Sequence, residues 1–300
     1  MRIDPATGRA SLDREETQPW VEVAMSARVM QEVLRQTPAP TSGSMLSVVS
    51  AVVPEESAAD WCRAFLVAAL EHLVMWADYV TPLHMHPDAQ AEFALRPAQT
   101  LARAALESAS QAVWILSPTE VQDVERRYIS LVLADWDEQK KAASGLDAKA
   151  SMKKRRTDAL QRLGLAGDRL RTPSYLTLVT DATTHVRSQL PGANIGSAVD
   201  VERLWRASAG SAHGKKWPST EMTVNWEEHG WRISLPDPAA ITAILQLADK
   251  VTTYGVLRFA EQSGHHEKLL DIQRAAMETV YGTISKIPGA PAAPPRPPEV

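Results

Sequence analysis

The sequence predicts a mainly α protein, a single helical-bundle domain with one small β-hairpin inserted before the penultimate long helix. Three observations carry this. Apolar residues recur at spacings of three and four, as in Trp61, Phe65, Ala69, His72, Trp76 and Tyr79. Capping and turn residues separate such runs. Period-two alternation marks a hairpin over 221–235, where Met222, Val224 and Trp226 precede "EEHG" and Trp231, Ile233 and Leu235 follow it.

The elements follow in chain order. Residues 1–15 read as a loose arm. A helix is expected from Glu16 to Gln36 on Val21, Val23, Met25, Val29, Met30, Val33 and Leu34; Pro38, Pro40 and Gly43 end it. Ser57 to Tyr79 forms the next. After "TPLHMHP", Pro97 suits the first helical position of "RPAQTLARAALESASQAVWIL", with Leu106, Ala109, Val113 and Leu116 on one stripe. Ser117 as N-cap, Pro118 at the first position and Glu120 closing a capping box predict a helix from 118 to about 143. A basic helix over 148–164 and a short one from Thr172-Pro173 come next, then the loop "QLPGANIGSAVD". Asp200 is expected to cap the helix containing "RLWRASAGSAHG". After the hairpin, Asp237 caps a long helix from Pro238 to Gln262, with Ile241, Leu245, Ala248, Val251 and Gly255 on one side. A last helix covers 265–284, and "KIPGAPAAPPRPPEV" reads as a disordered or polyproline II tail. The organisation is thus an arm, helix and Pro/Ser-rich linker over 1–56, the helical domain over 57–284, and the tail over 285–300.

The bulk properties narrow the function classes. The 300 residues are enough for a sizeable core, and 44% hydrophobic with 23% charged residues is ordinary for a soluble globular protein. No run of about 18 apolar residues appears, so no membrane span is expected. The polar N-terminus carries no apolar secretory segment. Cys62 is the single cysteine, which excludes an internal disulfide and a Cys-based zinc site and fits a reducing, cytoplasmic setting. A net charge of −4 excludes a polycation, so contact with nucleic acid needs a local patch. The candidate is "KASMKKRR", with Lys149, Lys153, Lys154, Arg155 and Arg156; the alternative is a solvated helix face.

Four constellations bear on chemistry. In "RLWRASAGSAHG", seven residues of helix turn about 700°, so Arg206 and His213 point nearly the same way. Histidine exchanges protons near neutral pH, and arginine offers a charged fork that matches a phosphate. The pair suits a phosphodiester without a metal. The alternative is a helix end: Gly214 as the left-handed cap, His213, Lys215 and Lys216 as cations at the negative terminus, and small residues for close packing. Second, Arg103 and Glu107 share a helix face at i,i+4, either cross-linking helices or orienting a histidine of another helix. Third, His84 and His86, with His72, resemble part of a zinc site that lacks a third ligand at a diagnostic spacing; His265 and His266 are weaker candidates. Fourth, Trp205, Trp217, Trp226 and Trp231 either stack bases or cover the core. Gly-rich phosphate loops, G-x-S-x-G and H-E-x-x-H are absent from the sequence.

"TLARAALESASQAVWIL", the following "VERRYISLVL" and the later "LWRASAGSAHG" are similar to a group of actinobacterial helical proteins that in turn resemble the HEPN superfamily. The likeness runs loosely over 60–260 and rests on the Arg-x-x-x-Glu pair and the Ser-Ala-His-Gly ending. It implies a small helical bundle, a homodimer, and for many members metal-independent RNA cleavage by an Arg and a His separated by a short spacer. Arg206 and His213 match that motif with six intervening residues, at the long end of the spacing, and Ala207 stands where a polar residue is common. The resemblance implies that the pair meets its copy from a second subunit and leaves 2′,3′-cyclic phosphate and 5′-hydroxyl ends, in a toxin, phage-defence or stress role.

The resulting expectation is a cytoplasmic RNase without metal or cofactor. His213 is the general acid or base and Arg206 the phosphate ligand. Ser208 and Ser211 orient either one, Arg103 and Glu107 support them, and Lys153, Lys154, Arg155 and Arg156 guide RNA. The competing expectation is a non-catalytic helical interaction or regulatory protein that meets a partner through a dimer face or the Pro-rich tail.

Overall fold

The computed structural model describes residues 2–4, 9–53, 56–83, 94–162, 170, 172–228 and 231–284, and among these it forms eleven α-helices and two antiparallel strand pairs. The helices are α1 (Arg14–Gln36), α2 (Met45–Ser50), α3 (Ala58–Val80), α4 (Leu95–Leu116), α5 (Val121–Ala142), α6 (Leu146–Arg162), α7 (Tyr175–Gln189), α8 (Ala198–Ala212), α9 (Lys216–Glu221), α10 (Pro238–Gln262) and α11 (Leu269–Gly282). Strands β1 (Arg2–Asp4) and β2 (Arg9–Ser11) pair antiparallel, as do β3 (Thr223–Glu228) and β4 (Trp231–Pro236), with Val224 opposite Leu235. The chain is a mainly α single domain, and among the described residues no helix is long and apolar enough to cross a membrane.

The bundle is built around α4, which packs on α3 and α10 and is flanked by α5, α7 and α8. Its inward faces carry the buried alanines Ala98, Ala102, Ala105, Ala109 and Ala112, which let neighbouring backbones come close. Gly255 of α10 takes this further: a Cβ there would stand 2.8 Å from Leu66 Cδ2 and 3.2 Å from Val113 Cγ2. Helix α1 lies on α3 and α10 within the same core. Trp20 meets Trp76 edge-on at 6.4 Å and donates its Nε1–H to Thr242 Oγ1 at 2.8 Å.

Helix ends buried inside such a bundle leave carbonyls without helical partners. Side chains from neighbouring helices satisfy them. Arg63 donates to the carbonyls of Leu34 and Thr37 at 2.6 and 2.8 Å, where α1 ends. Arg127 reaches the Trp114 carbonyl at 2.6 Å, and Gln262 the Leu116 carbonyl at 2.7 Å, where α4 ends. Buried Arg28 binds Asp78 at 2.7 Å and the Thr81 carbonyl at 2.8 Å, where α3 ends.

Several expectations are corrected. Ser117 closes α4 instead of opening α5: its hydroxyl bonds back to the Val113 carbonyl at 2.5 Å, and α5 starts at Val121 behind Glu120. Ser197, not Asp200, is the N-cap of α8. Asp200 completes its capping box, and the Ser197 hydrogen bonds hold the Asp200 carboxyl below its ordinary range. Residues 1–15 contain the short β1–β2 pair and the first residues of α1. Pro97 is the third residue of α4, and α7 begins behind Ser174 and runs for 15 residues. The short helix α2 arises in the stretch read as a Pro/Ser-rich linker, and α9 forms between α8 and the hairpin, where no element was expected. In α3 the core stripe is Cys62, Leu66, Ala69, Leu73, Trp76 and Val80, so Trp61 and Phe65 fall on its flank and Tyr79 in solvent. Because α3 is apolar on most sides, its aromatic spacing did not fix which side faces inward. Cys62 is fully buried, and desolvation pushes its thiol well above the ordinary range.

Candidate active site

Helix α8 separates its small residues from its charged ones. Ala207, Ser208, Gly210 and Ser211 are buried, whereas Arg206 and His213 are exposed. Ser208 donates back to the Leu204 carbonyl at 2.9 Å, and Ser211 donates to buried Gln99 of α4. Both serines face away from Arg206 and His213 and bond the scaffold. Gly210 is small for a visible reason: a Cβ would meet Pro218 Cγ at 2.6 Å and Trp217 Nε1 at 3.2 Å. Helix α9 therefore lies directly on α8.

This contact puts Trp217, 40% exposed, against α8 at Gly210, midway along the helix between Arg206 and His213. Sequence reasoning named Trp217 but did not place it. Arg96 was missed altogether. It is the second residue of α4, donates to Ser219 Oγ at 3.3 Å, and its Nη1 lies 3.6 Å from where a Gly214 Cβ would stand. No sequence signal joins residues this far apart. Arg96, Lys215 and Lys216 are all exposed, so the end of α8 carries cations and a partly open indole.

The end of α8 also has the predicted capping geometry. Gly214 adopts φ +67°, Lys215 N–H donates to the Gly210 carbonyl at 2.8 Å, and Gly214 N–H to the Ser211 carbonyl at 3.1 Å. His213 is the C-cap. Arg206 pairs with Glu202 one turn earlier at 2.7 Å, so its guanidinium leans toward the helix start, away from His213. The rise between the two residues is about 10 Å. Within one chain they share a face, but their functional atoms are not brought together.

Arg103 and Glu107 form an ion pair at 2.8 Å, and Glu107 accepts the Trp205 Nε1–H at 2.7 Å. The Arg103 guanidinium lies 5.0 Å from the Trp205 ring centroid. The pair joins α4 to α8 through a tryptophan, one residue before Arg206, and touches no histidine. Of the basic segment, Lys153 and Lys154 are exposed. Arg155 pairs with Glu56 and stacks 4.5 Å from the Trp136 centroid, and Arg156 pairs with Asp137 at 3.5 Å. The two arginines thus fasten α6 to the bundle.

His84 and His86, the Pro-rich tail 285–300, and the side chains of Trp226 and Trp231 lie outside the described residues. Among the described residues no three His, Cys, Asp or Glu side chains gather as metal ligands. His265 is buried with a ring nitrogen 3.1 Å from the Ala39 carbonyl. His185, which sequence reasoning did not single out, bonds the Tyr254 hydroxyl at 2.8 Å. Burial, then the charges of Arg258 and Arg127, lower its pKa, and the ring ties α7 to α10. The fold and this face define a mainly α bundle with a cationic, tryptophan-bearing surface at the end of α8. No family model, no curated protein and no solved structure matches the chain.

Proposed function

We propose that the protein is a metal-independent endoribonuclease that works as a homodimer through the exposed face of α8. The observation that carries this reading is that Arg206 and His213 are both exposed on α8, with Trp217 packed on Gly210, which lies between them along the helix. A single-stranded RNA has the chemistry for such a face. A base stacks on the indole, and the phosphates meet Arg206, Arg96, Lys215 and Lys216. His213 takes the proton of a ribose 2′-hydroxyl. The 2′-oxygen bonds to phosphorus, the P–O5′ bond breaks, and the leaving 5′-oxygen gains a proton from the partner subunit's His213. The ends are a 2′,3′-cyclic phosphate and a 5′-hydroxyl. Because Arg206 leans away from His213 in one chain, the phosphate ligand and the base of one site come from different copies. The toxin, phage-defence or stress context comes from the HEPN resemblance.

The second reading is a non-catalytic helical interaction or regulatory protein. The Glu202–Arg206 pair and the glycine cap at Gly214 favour it, since both account for the charged residues of α8 without RNA. Incubating wild type and His213→Ala with a mixed RNA pool in chelator separates the two. The nuclease reading expects cleavage by wild type alone. Two folded, inactive proteins favour the interaction module.

A further inference from the structure

Two cavities share a wall made by Trp61 and Phe65 of α3, whose rings meet edge to face at 5.7 Å. The larger, about 510 Å³, opens between α3, α5 and the start of α7, with Tyr175 also on its lining. Asp135 and Glu138 of α5 supply its charges. The smaller, about 320 Å³, carries Glu56 and Asp60. Among the described residues no Lys, Arg or His lines either one. Lys141 pairs with Glu138 at 2.6 Å on the exposed rim, whereas Asp135 has no ion pair among the described residues. The Trp61 indole is held in place, because its Nε1–H donates to Glu56 at 2.8 Å.

The same region already holds an organic cation of the chain itself. The Arg155 guanidinium lies over Trp136 with its charge on Glu56. The larger cavity repeats that chemistry with no cation of its own among the described residues. Aromatic rings attract an ammonium through their electron-rich faces, and a nearby carboxylate adds a Coulombic term. Two carboxylates disfavour an anion. A hard divalent cation needs several converging oxygen ligands, and among the described residues no three His, Cys, Asp or Glu side chains gather here. The volume is that of a small-molecule site.

We propose that this cavity binds a small organic ammonium ion, with its charge near Asp135 and its alkyl groups against Trp61, Phe65 and Tyr175. The site is separate from the α8 face and does not depend on RNA cleavage. Calorimetric titration of the full chain tests it, using choline, spermidine and the uncharged choline isostere 3,3-dimethylbutanol. The expected result is saturable binding of at least one amine and binding of the isostere at least tenfold weaker. Asp135→Asn is expected to weaken the amine at least tenfold. Tyr175→Ala, at a residue 52% exposed and therefore safe for folding, is expected to weaken it severalfold. Absence of saturable binding by both amines, equal binding of the isostere, or unchanged affinity in both folded variants would overturn the assignment.

Discussion

Asp249 offers a test of how the bundle uses its charges. It lies on α10, and its Oδ1 is sealed from solvent without a hydrogen-bond partner. Burial raises its pKa to about 7, a rise that the hydroxyls of Ser26 and Thr253 and the charge of Lys250 only partly offset. The unfolded chain ionises this group near pH 4. Between pH 4 and 7 the folded state therefore holds a proton that the unfolded state has lost, so stability falls as pH rises through that window. Three pH intervals at about 1.4 kcal/mol each set an upper bound of about 4 kcal/mol. Asp249→Asn removes the titrating group while keeping its shape. Urea unfolding at pH 5, 6, 7 and 8 is expected to show the variant about 2–4 kcal/mol more stable than wild type at pH 8, with the gap closing toward pH 5. An identical gap at all four values would refute the reasoning.

Three further outcomes are expected. Gly255→Ala forces a methyl into contact with Leu66 and Val113; overpacking of about 1–3 kcal/mol outweighs a helix-propensity gain of about 1 kcal/mol, and thermal unfolding reads the loss. Glu107→Ala strands Arg103 and the Trp205 indole, lowering stability by about 1–3 kcal/mol in denaturant titration. Its cleavage rate per folded molecule is expected within about threefold of wild type, and a far larger loss would mean that the pair also acts in catalysis. Lys153→Ala with Lys154→Ala is expected to lower the salt slope of RNA binding by about 1–2, while an unchanged slope removes that segment from the RNA path. Arg155 and Arg156 are unsuitable for that measurement, because their loss loosens α6.

The sequence made the helices legible because their stripes are long and their caps local. Ser57, Asp237 and Gly214 each act within one turn of their own helix, and each sits where its residue type predicts. Ser117 misled because a serine can accept from the next helix or donate back to its own, and here its hydroxyl donates to the Val113 carbonyl. The roles of Arg63, Arg127 and Arg258 were hidden, since each satisfies a carbonyl of another helix. At the candidate site, the shared helix face of Arg206 and His213 followed from helical periodicity alone, and their exposure did not. The cover of Trp217 on Gly210 and the approach of Arg96 depend on how α9 and α4 dock. The Glu202 pairing of Arg206 was readable at i,i+4 and was overlooked.

One measurement tests the central claim most directly: cleavage of a defined single-stranded RNA in chelator by wild type, by His213→Ala, and by His213→Ala with added imidazole, with every new end typed. The account predicts 2′,3′-cyclic phosphate ends from wild type, a loss of at least about a hundredfold in the variant, and partial recovery with imidazole. Equal cleavage by wild type and the variant, or no cyclic phosphate from folded wild type, would contradict a catalytic role for the α8 face.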